Sequence, residues 1–411
     1  MFDFAFNPLI DIHDEGGEAL HLVAPKPGAG LQSYELRRSA NAGLFDFFES
    51  VARTGMLDDG LLDDLDPDEF ELLRSHGFIL RANALPEQPL FAALLTDVDE
   101  FADDIAEPDL IINPTFRFIN VEPAHMRSWM HDRRHSGRPS AWITKPVTGI
   151  ELGYWLSHRE AALVSQFVAG DSPQVSLDPA LKRRLLSAGI LTSVALLESD
   201  AAAASEWISV AKSNYELNGY AVLRDLVPRA QSEAMKRYYR NYVADGFMPF
   251  DDAQSERYYQ HNEPLARTFH GNFTKLMSLV VGSGVIPSYV YAGSYIAGSA
   301  LTPHVDRAQC EFSISMQVDF CPDIDRNPSP WGLFLKQGAT VDAAHCADRH
   351  EDYPADSQER DSNPVVYLSN GDAVIYKGCE LVHYRYPLAD GCASTSLFMH
   401  YVPVDFGGDL D

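Results

Sequence analysis

The spacing of apolar residues along the chain changes near residue 205. Before that point apolar residues recur mainly every three or four positions, as in amphipathic helices. From about residue 285 they alternate with polar residues, as in strands with one face in a core. Helices followed by about eight short strands predict an α+β chain in two parts. These are a mainly helical region over residues 1–205 and a double-stranded β-helix (jelly roll) buttressed by helices over residues 206–411.

The clearest alternation is in CEFSISMQVDF, residues 310–320. Its odd and even positions separate a polar from an apolar face, and the apolar face comprises Phe312, Ile314, Met316, Val318 and Phe320. Further strands are predicted in SYVYAGSYIAG, WGLFLKQG, NPVVYLSNGDAVIYKG and STSLFMHYVPV, because these segments are rich in β-branched and aromatic residues and end near turn formers.

Two segments of the first half share one arrangement, LDPDEFELLRSHGFIL at 65–80 and LDPALKRRLLSAGILT at 177–192. In each, an aspartate N-cap and a proline open a helix, and a glycine ends it before a short apolar strand. The matching positions are Leu65/Leu177, Asp66/Asp178, Pro67/Pro179, Leu73/Leu185, Ser75/Ser187 and Gly77/Gly189. Two related winged-helix-like units, or merely common helix punctuation, would both give this pattern. The second unit resembles the small winged-helix modules that hold leader peptides in peptide-modifying enzymes.

The net charge narrows the choice of partners. Lys+Arg 32 against Asp+Glu 59 leaves a formal charge of −27, which repels nucleic-acid phosphates and anionic lipids. The N-terminus lacks a basic segment followed by an apolar run, and no apolar stretch approaches the ~18 residues of a membrane span. We therefore expect a cytoplasmic protein that binds neither nucleic acid nor membrane.

Five cysteines are present, Cys310, Cys321, Cys346, Cys379 and Cys392. An odd number without regular spacing indicates neither a disulfide framework nor a zinc knuckle. Reduced thiols are the expectation for a cytoplasmic protein.

The candidate chemistry begins at LTPHVDRAQC, residues 301–310. His304 and Asp306 are two positions apart, so they share one face of a strand. A distant histidine, His383 in GDAVIYKGCELVHYRYPL, could complete a set of two imidazoles and one carboxylate. That set suits Fe(II) and leaves coordination positions open. Taken singly, His304 and Asp306 could form a surface salt bridge, and His383 could be a core histidine. The other histidines lack comparable sequence context and are expected to be structural: His261, His270, His345, His350 and His400.

The ordered set GSALTPHVD, an alternating strand and GDAVIYKGCELVH resembles the Fe(II)- and 2-oxoglutarate-dependent oxygenases, over roughly residues 211–411. The resemblance implies a jelly roll in which His304, Asp306 and His383 bind Fe(II), with 2-oxoglutarate and O2 as cosubstrates. It implies a dioxygenase that hydroxylates or desaturates an unactivated C–H bond. Related halogenases have a small residue in place of the carboxylate, so the presence of Asp306 predicts no halogenation.

The sequence departs from the family at the anchor for the far carboxylate of 2-oxoglutarate. A basic residue about ten positions after the distal histidine is common in the family, whereas Ala393 stands here. Arg385 is the preferred replacement, because it lies two residues after His383 on the same face and can bind a carboxylate through two hydrogen bonds. Lys336 is the alternative, and Tyr295 and Ser394 are candidate hydroxyl partners.

Two other readings stay open from the sequence, a non-catalytic jelly-roll binding protein and a cupin-type metalloenzyme that does not use 2-oxoglutarate. The substrate is expected to be a peptide, a protein or a small natural product. The helical region is long enough to hold such a substrate or to form a homodimer, and the sequence does not choose between these uses.

Overall fold

The computed structural model describes residues 4–6, 11–14, 17–26, 30–54, 65–76, 78–81, 91–99, 109–119, 139–244, 248–250, 255–324, 327–337, 349–350, 352–354 and 362–410. Over these residues the chain is mixed α/β and contains several sheets. Among the helices in these ranges, none combines the length and the apolar character needed to cross a membrane.

The first part of the chain folds around a small core of its own. Its elements are β1 (Phe4–Phe6), β2 (Asp11–Asp14), β3 (Ala19–Lys26), β4 (Gly30–Arg37), α1 (Ala42–Thr54), α2 (Pro67–Ser75) and β5 (Ile79–Arg81). Strands β2, β3 and β4 form an antiparallel meander, and β1 pairs with β5. Phe45 and Phe48 of α1 pack with Leu20 of β3 and Leu73 of α2. We call this part unit 1.

A second unit follows, here called unit 2. Its elements are β6 (Ala93–Leu94), a 3-10 turn (Leu95–Asp97), β7 (Ile111–Ile112), β8 (Arg117–Ile119), β9 (Ser140–Thr144), β10 (Glu151–Trp155), α3 (His158–Val164), α4 (Pro179–Ser187) and β11 (Leu191–Thr192). Strands β8, β9 and β10 form an antiparallel meander, β7 pairs with β11, and β6 lies parallel to β10.

The described part of residues 1–205, which was predicted to be mainly helical, contains eleven strands beside its helices. Several of them are only two or three residues long and pair with partners distant in sequence, as β5 does with β1, so tertiary pairing stabilises these short strands. The predicted helix starts are confirmed. Asp66 caps α2 in a capping box, and the Asp178 side chain accepts from the Leu181 N–H of α4.

The long helix α5 (Val194–Asn218) ends at Gly219, whose φ of 77° is the left-handed conformation that glycine adopts without strain. It is followed by β12 (Tyr220–Leu223), α6 (Arg229–Ala244), α7 (Pro264–Asn272) and α8 (Thr274–Val281). The boundary predicted at 205/206 lies within α5 and stays a prediction. One buried cluster contains residues from both sides of it, from Phe91 to Tyr401.

The last part of the chain contains two antiparallel sheets. Their further strands are β13 (Arg257–His261), β14 (Val285–Tyr295), β15 (Leu301–Val305), β16 (Phe312–Cys321), β17 (Leu333–Gln337), β18 (Arg349–His350), β19 (Val365–Val366), β20 (Ala373–Lys377), β21 (Leu381–Arg385) and β22 (Ala393–Pro403). The six-stranded sheet has the order β12-β20-β16-β22-β14-β13, and the five-stranded sheet has the order β18-β15-β21-β17-β19.

The alternation in β16 separates two buried faces of the six-stranded sheet. Ile314 and Met316 join the cluster that the helices cover. Ser313 and Gln317 on the opposite face are also buried, at 0% and 1% exposure. On that side Tyr376 of β20 packs against residues of the five-stranded sheet, so the two sheets face each other across a partly polar interior.

The expectation that all thiols are reduced is wrong at Cys379, which is in a disulfide. Cys310, Cys321 and Cys392 carry free thiols, and Cys346 lies outside the described residues.

Candidate metal centre

Two of the predicted ligands lie on neighbouring strands of the five-stranded sheet. His304 is on β15, His383 is on β21, and the register pairs the two residues directly. Residues paired across antiparallel strands point to the same face. Both side chains are buried, and their ring centroids are 4.2 Å apart. Strand pairing thus joins two imidazoles that are far apart in sequence.

The third predicted ligand, Asp306, follows directly after β15. Its backbone N–H donates to the Gly378 carbonyl over 2.9 Å. Its Oδ1 lies 3.6 Å from Nε2 of His304 and 3.4 Å from Nε2 of His383. Neighbouring ligands about 2.1 Å from one octahedral ion lie roughly 3 Å apart. The Asp306 oxygen therefore lies within a fraction of an ångström of ligand spacing from each imidazole, and the three ligand atoms all lie within 4.8 Å of one another.

Hydrogen bonds to the backbone fix the tautomer of both imidazoles. Nδ1 of His304 donates to the Thr302 carbonyl over 2.7 Å, and Nδ1 of His383 donates to the Leu381 carbonyl over 3.0 Å. In the neutral rings Nε2 is then the unprotonated nitrogen. Two nitrogen lone pairs and a carboxylate oxygen converge on one buried point, an arrangement that a cation or a proton must stabilise. The donor set fits a divalent transition metal.

Asp306 and His383 influence each other's ionisation. Burial alone would raise the pKa of Asp306, but the neighbouring His383 lowers it to a value below the ordinary one. Burial would likewise lower the pKa of His383, but the Asp306 carboxylate raises it overall. Asp306 is therefore a carboxylate at neutral pH, as a metal ligand must be.

The second oxygen of Asp306 is held from the six-stranded sheet. Ser313 Oγ donates to Asp306 Oδ2 over 3.2 Å and lies 2.9 Å from Nδ1 of His400. Burial lowers the pKa of His400 to about 4, so this imidazole is neutral at pH 7. Gly378 leaves the necessary space, because a Cβ there would lie 2.5 Å from Asp306 Oδ2 and 2.1 Å from the Cys310 carbonyl. These contacts direct Oδ1 toward the histidines.

Arg385 is a buried guanidinium on β21, on the same face as His383 and 2% exposed. Its Nη1 donates to the Trp331 carbonyl, its Cζ lies 4.7 Å from the centroid of the Trp331 ring, and its Nε has no hydrogen-bond partner among the described residues. Burial lowers its pKa to about 10, partly countered by Tyr295 and Tyr376. No carboxylate among the described residues forms an ion pair with it, so these residues leave its charge without an anionic partner.

Further unsatisfied polar atoms lie on the sheet that faces Arg385. Ser315 Oγ, Gln317 Oε1 and Ser396 Oγ are buried without a partner among the described residues. Gln317 and Ser396 pair directly across β16 and β22, so they share a face. Buried polar groups normally have partners, and a polar ligand between the two sheets would supply them.

Tyr295 and Ser394, the predicted hydroxyl partners, are paired in register on β14 and β22 and are both buried. The Tyr295 hydroxyl accepts from Arg257, while Ser394 Oγ accepts from Gln317 Nε2 over 3.0 Å. Both therefore lie on the face of the unsatisfied atoms and already take part in protein hydrogen bonds.

Lys336, the alternative anchor, is not brought to this site. On β17 the register places Leu335 opposite His383 and Lys336 opposite Val382. Since successive residues of a strand point to opposite faces, Lys336 points away from the metal ligands. Of the two basic candidates, only Arg385 reaches the interior.

A second group of potential ligands adjoins the first and shares Asp306 with it. Ligand atoms of Asp306, Cys310 and His400 lie within 4.8 Å of one another. The Cys310 thiol contacts the Tyr289 hydroxyl at 2.8 Å, and burial raises its pKa well above the ordinary value. With the thiol protonated and His400 bonded to Ser313, this group supports Asp306 rather than forming a second metal site.

Comparisons with known proteins gave matches at the level of structure alone. No protein-family model matches the chain, and no curated protein matches it. Among 378 matching solved chains is a Pseudomonas putida prolyl-4-hydroxylase, with 12% identity over 48% of this chain and 98% of that one and a TM-score of 0.36.

Two further matches are enzymes described with 2-oxoglutarate. The alpha-ketoglutarate-dependent epimerase SnoN from nogalamycin biosynthesis shares 13% identity over 48% of this chain and 82% of its own, with a TM-score of 0.38. HygX from Streptomyces hygroscopicus, solved with nickel, 2-oxoglutarate and hygromycin B, shares 11% identity over 48% and 88%, with a TM-score of 0.34.

Sequence reasoning missed the residues behind Asp306. Ser313 lies on the polar face of the alternating CEFSISMQVDF strand, and a polar face ordinarily indicates solvent, so the sequence carried no signal that Ser313 is buried. His400 was expected to be structural, but it reaches Asp306 through Ser313, because β22 pairs it with Ser313. Only the strand order could show this contact.

Proposed function

We propose that this chain is an Fe(II)- and 2-oxoglutarate-dependent oxygenase that hydroxylates or desaturates an unactivated C–H bond. One observation carries the proposal. The Nε2 atoms of two imidazoles and a carboxylate oxygen converge in the interior, on the strand pair that also carries a buried arginine without a carboxylate partner among the described residues. The facial set of two histidines and one carboxylate is the ligand set of non-haem Fe(II) oxygenases.

In this proposal His304, Asp306 and His383 hold the iron. Bound Fe(II) supplies oxygen activation, coupled to oxidative decarboxylation of 2-oxoglutarate to succinate and carbon dioxide. The protein's contribution is positional. Backbone carbonyls orient both imidazoles, and Ser313 holds the second oxygen of Asp306.

Arg385 is proposed to bind the far carboxylate of 2-oxoglutarate. A buried carboxylate needs a cation and hydrogen bonds, and a guanidinium supplies both in a bidentate geometry. Its free Nε points to an incomplete set of partners in the protein alone. Ser315, Gln317 and Ser396 are candidates to bind the remaining oxygens, since their unsatisfied atoms face the same interior.

Asp306 also bears on the type of product. A carboxylate in this position occupies the coordination site that chloride would need in a halogenase. We therefore propose hydroxylation or desaturation of a peptide, protein or natural-product substrate. A chlorinated product formed in the presence of chloride would contradict this part of the proposal.

The test measures succinate release from 2-oxoglutarate by the full-length protein loaded with Fe(II) in air. Wild type should release succinate without added substrate, through uncoupled turnover, and His383→Ala should not. His158→Ala is the matched control, because His158 is an exposed histidine on α3. A different result would indicate a cupin-type metalloenzyme or a binding protein instead. In that case the protein would bind iron but release no succinate, and 2-oxoglutarate added without oxygen would leave the iron spectrum unchanged.

A further inference from the structure

An arginine without an acidic partner lies beside the metal ligands. Arg307 directly follows Asp306 and is the N-cap of a 3-10 turn, Ala308–Cys310. Its side chain is exposed, and no carboxylate among the described residues forms an ion pair with it. In a chain with Asp+Glu 59 and Lys+Arg 32, acidic partners are in excess. Their absence around this guanidinium leaves its charge available to an anionic ligand.

Contacts with β14 fix the position of the Arg307 guanidinium. Its Nε donates to the Tyr289 hydroxyl over 3.1 Å, and its Cζ lies 4.6 Å from the centroid of the Tyr289 ring. Ser288 Oγ donates to the Gln309 carbonyl over 2.6 Å, which attaches the 3-10 turn to the same strand. Because the guanidinium is already held in place, binding an anion costs it little further rotamer freedom.

Tyr289 brings this cation close to the metal centre. Its ring lies 4.8 Å from the ring of His400, which belongs to the network behind Asp306. Its hydroxyl lies 2.8 Å from Cys310 Sγ, and that sulfur is within 4.8 Å of a carboxylate oxygen of Asp306. Arg307 therefore borders the metal ligands on the side of the six-stranded sheet, where a small ligand can contact it and approach the metal.

Three partly exposed rings continue from Tyr289 over the six-stranded sheet. The register between β13 and β14 puts Tyr259 and His261 on the same face as Tyr291, which is the inner face. The His261 ring lies 5.1 Å from the Tyr289 ring and 4.9 Å from the Tyr291 ring, and the rings of Tyr259 and Tyr291 stack at 5.8 Å. We call Tyr259, His261 and Tyr291 the aromatic surface. Such rings favour contact with another planar group.

We propose that Arg307 and the aromatic surface bind the substrate, and that this substrate is a small molecule with a planar ring and a carboxylate. The carboxylate would accept hydrogen bonds from Arg307, and the ring would pack against His261 and Tyr291. A net charge of −27 favours a monoanion over a phosphate dianion, which the protein would repel more strongly. The assignment of this ligand as substrate rests on the oxygenase function proposed above.

This site is separate from the one proposed for 2-oxoglutarate. Arg385 pairs with Leu301, which precedes His304 on β15, whereas Arg307 follows His304. The two arginines therefore belong to opposite sides of the metal ligands along β15. Each carboxylate, of cosubstrate and of substrate, would have its own guanidinium, so both can be bound at the same time.

The experiment compares acids with their neutral amides on the full-length protein. The probes are phenylacetate, 3-phenylpropionate and indole-3-acetate, each beside its primary amide. Zn(II) replaces Fe(II), and 2-oxoglutarate is present to occupy the metal and Arg385. Saturation-transfer NMR titrations give the dissociation constants and identify the probe protons that contact the protein. At least one acid should bind roughly tenfold or more tightly than its amide, because a charge-assisted hydrogen bond is lost in the amide. Its ring protons should receive the strongest transfer.

Two variants separate the charge from the ring contact. Arg307→Met should remove the preference for the acid, and Arg307→Lys should restore part of it. Tyr291→Leu should weaken binding of acid and amide to a similar degree, because it removes a ring but no charge. Arg159→Met is the matched control, since Arg159 is an exposed arginine on α3. Urea unfolding of each variant shows that lost binding is not lost folding, and the acid–amide comparison on the wild type needs no variant.

Three results would overturn the inference. They are acids that bind no more tightly than their amides, an acid preference that Arg307→Met retains, and an acid preference that Arg385→Met removes instead, which would assign the probe to the 2-oxoglutarate anchor. None of these measurements requires turnover. If succinate is not released but the acid preference depends on Arg307, the oxygenase function fails and the anion site stands. If succinate is released and no acid is preferred, only the substrate inference fails.

Discussion

Replacing Arg385 by methionine should leave the protein folded but remove its affinity for 2-oxoglutarate. Methionine has a similar length and no charge, so it fills the buried space beside Trp331 without a guanidinium. The expected effects on stability and on ligand binding differ greatly in size, and this difference distinguishes an anchor from a structural residue.

The stability effect can be worked from the burial of the side chain. Burial lowers the pKa of Arg385 from 12.5 to about 10, equivalent to roughly 3 kcal/mol against the charged form in the folded protein. Since the folded pKa is the lower one, this cost is present at every pH below it and disappears as pH rises above about 10. Methionine removes the cost but loses the hydrogen bond to Trp331, about 1–2 kcal/mol. The free energy of unfolding should change by less than about 2 kcal/mol.

The effect on 2-oxoglutarate follows from removing one partner of a buried charge pair. Such truncations cost about 2–5 kcal/mol, so the dissociation constant should rise roughly 30-fold to several thousand-fold. Calorimetric titration of the Fe(II) protein without oxygen measures this constant, and urea denaturation measures stability. Lys336→Met is the matched control, because Lys336 is the other predicted anchor and points away from the metal ligands.

The opposite pattern would refute the reasoning. If Arg385→Met lowered the free energy of unfolding by about 3–5 kcal/mol, as breaking a buried ion pair does, Arg385 would have a structural partner. If 2-oxoglutarate affinity also changed no more than in Lys336→Met, the anchor assignment would be wrong.

Three further predictions concern the metal ligands and their support. Ser313→Ala should lower Fe(II) affinity about 10- to 100-fold, as loss of outer contacts to a ligand does, with little change in unfolding by urea; unchanged affinity would remove Ser313 from this role. Gly378→Ala should weaken metal binding more strongly than Ser313→Ala does. The added Cβ would lie 2.5 Å from Asp306 Oδ2 and 2.1 Å from the Cys310 carbonyl oxygen. A metal titration equal to that of the wild type would contradict this geometry. The raised pKa of His383 stabilises the metal-free protein at pH below the ordinary histidine value of about 6.5, and this stability should be lost as pH rises through the folded pKa. With Fe(II) bound, stability should instead increase as pH rises, because the metal competes with the proton for His383. The midpoints of urea unfolding, measured across pH with and without Fe(II), test the direction of each dependence.

The sequence determined the local features of this protein. Asp66 and Asp178 open helices where the N-cap and proline pattern predicted, because capping depends on residues within one turn. The strict alternation in residues 310–320 identified β16, because two buried faces of different polarity leave a period of two in the sequence. The HxD spacing also brought His304 and Asp306 close together, although Asp306 lies just beyond the end of β15.

Only the tertiary structure decided which distant residues meet. Pairing of β15 with β21 sets His383 opposite His304, and pairing of β16 with β22 brings His400 to Ser313 behind Asp306. The choice of Arg385 over Lys336 depends on the register between β17 and β21. A shift of β17 by one residue would turn Lys336 to the face that carries the metal ligands. Strands β1, β6 and β7 escaped prediction because they are only two or three residues long and are stabilised by partners elsewhere in the chain.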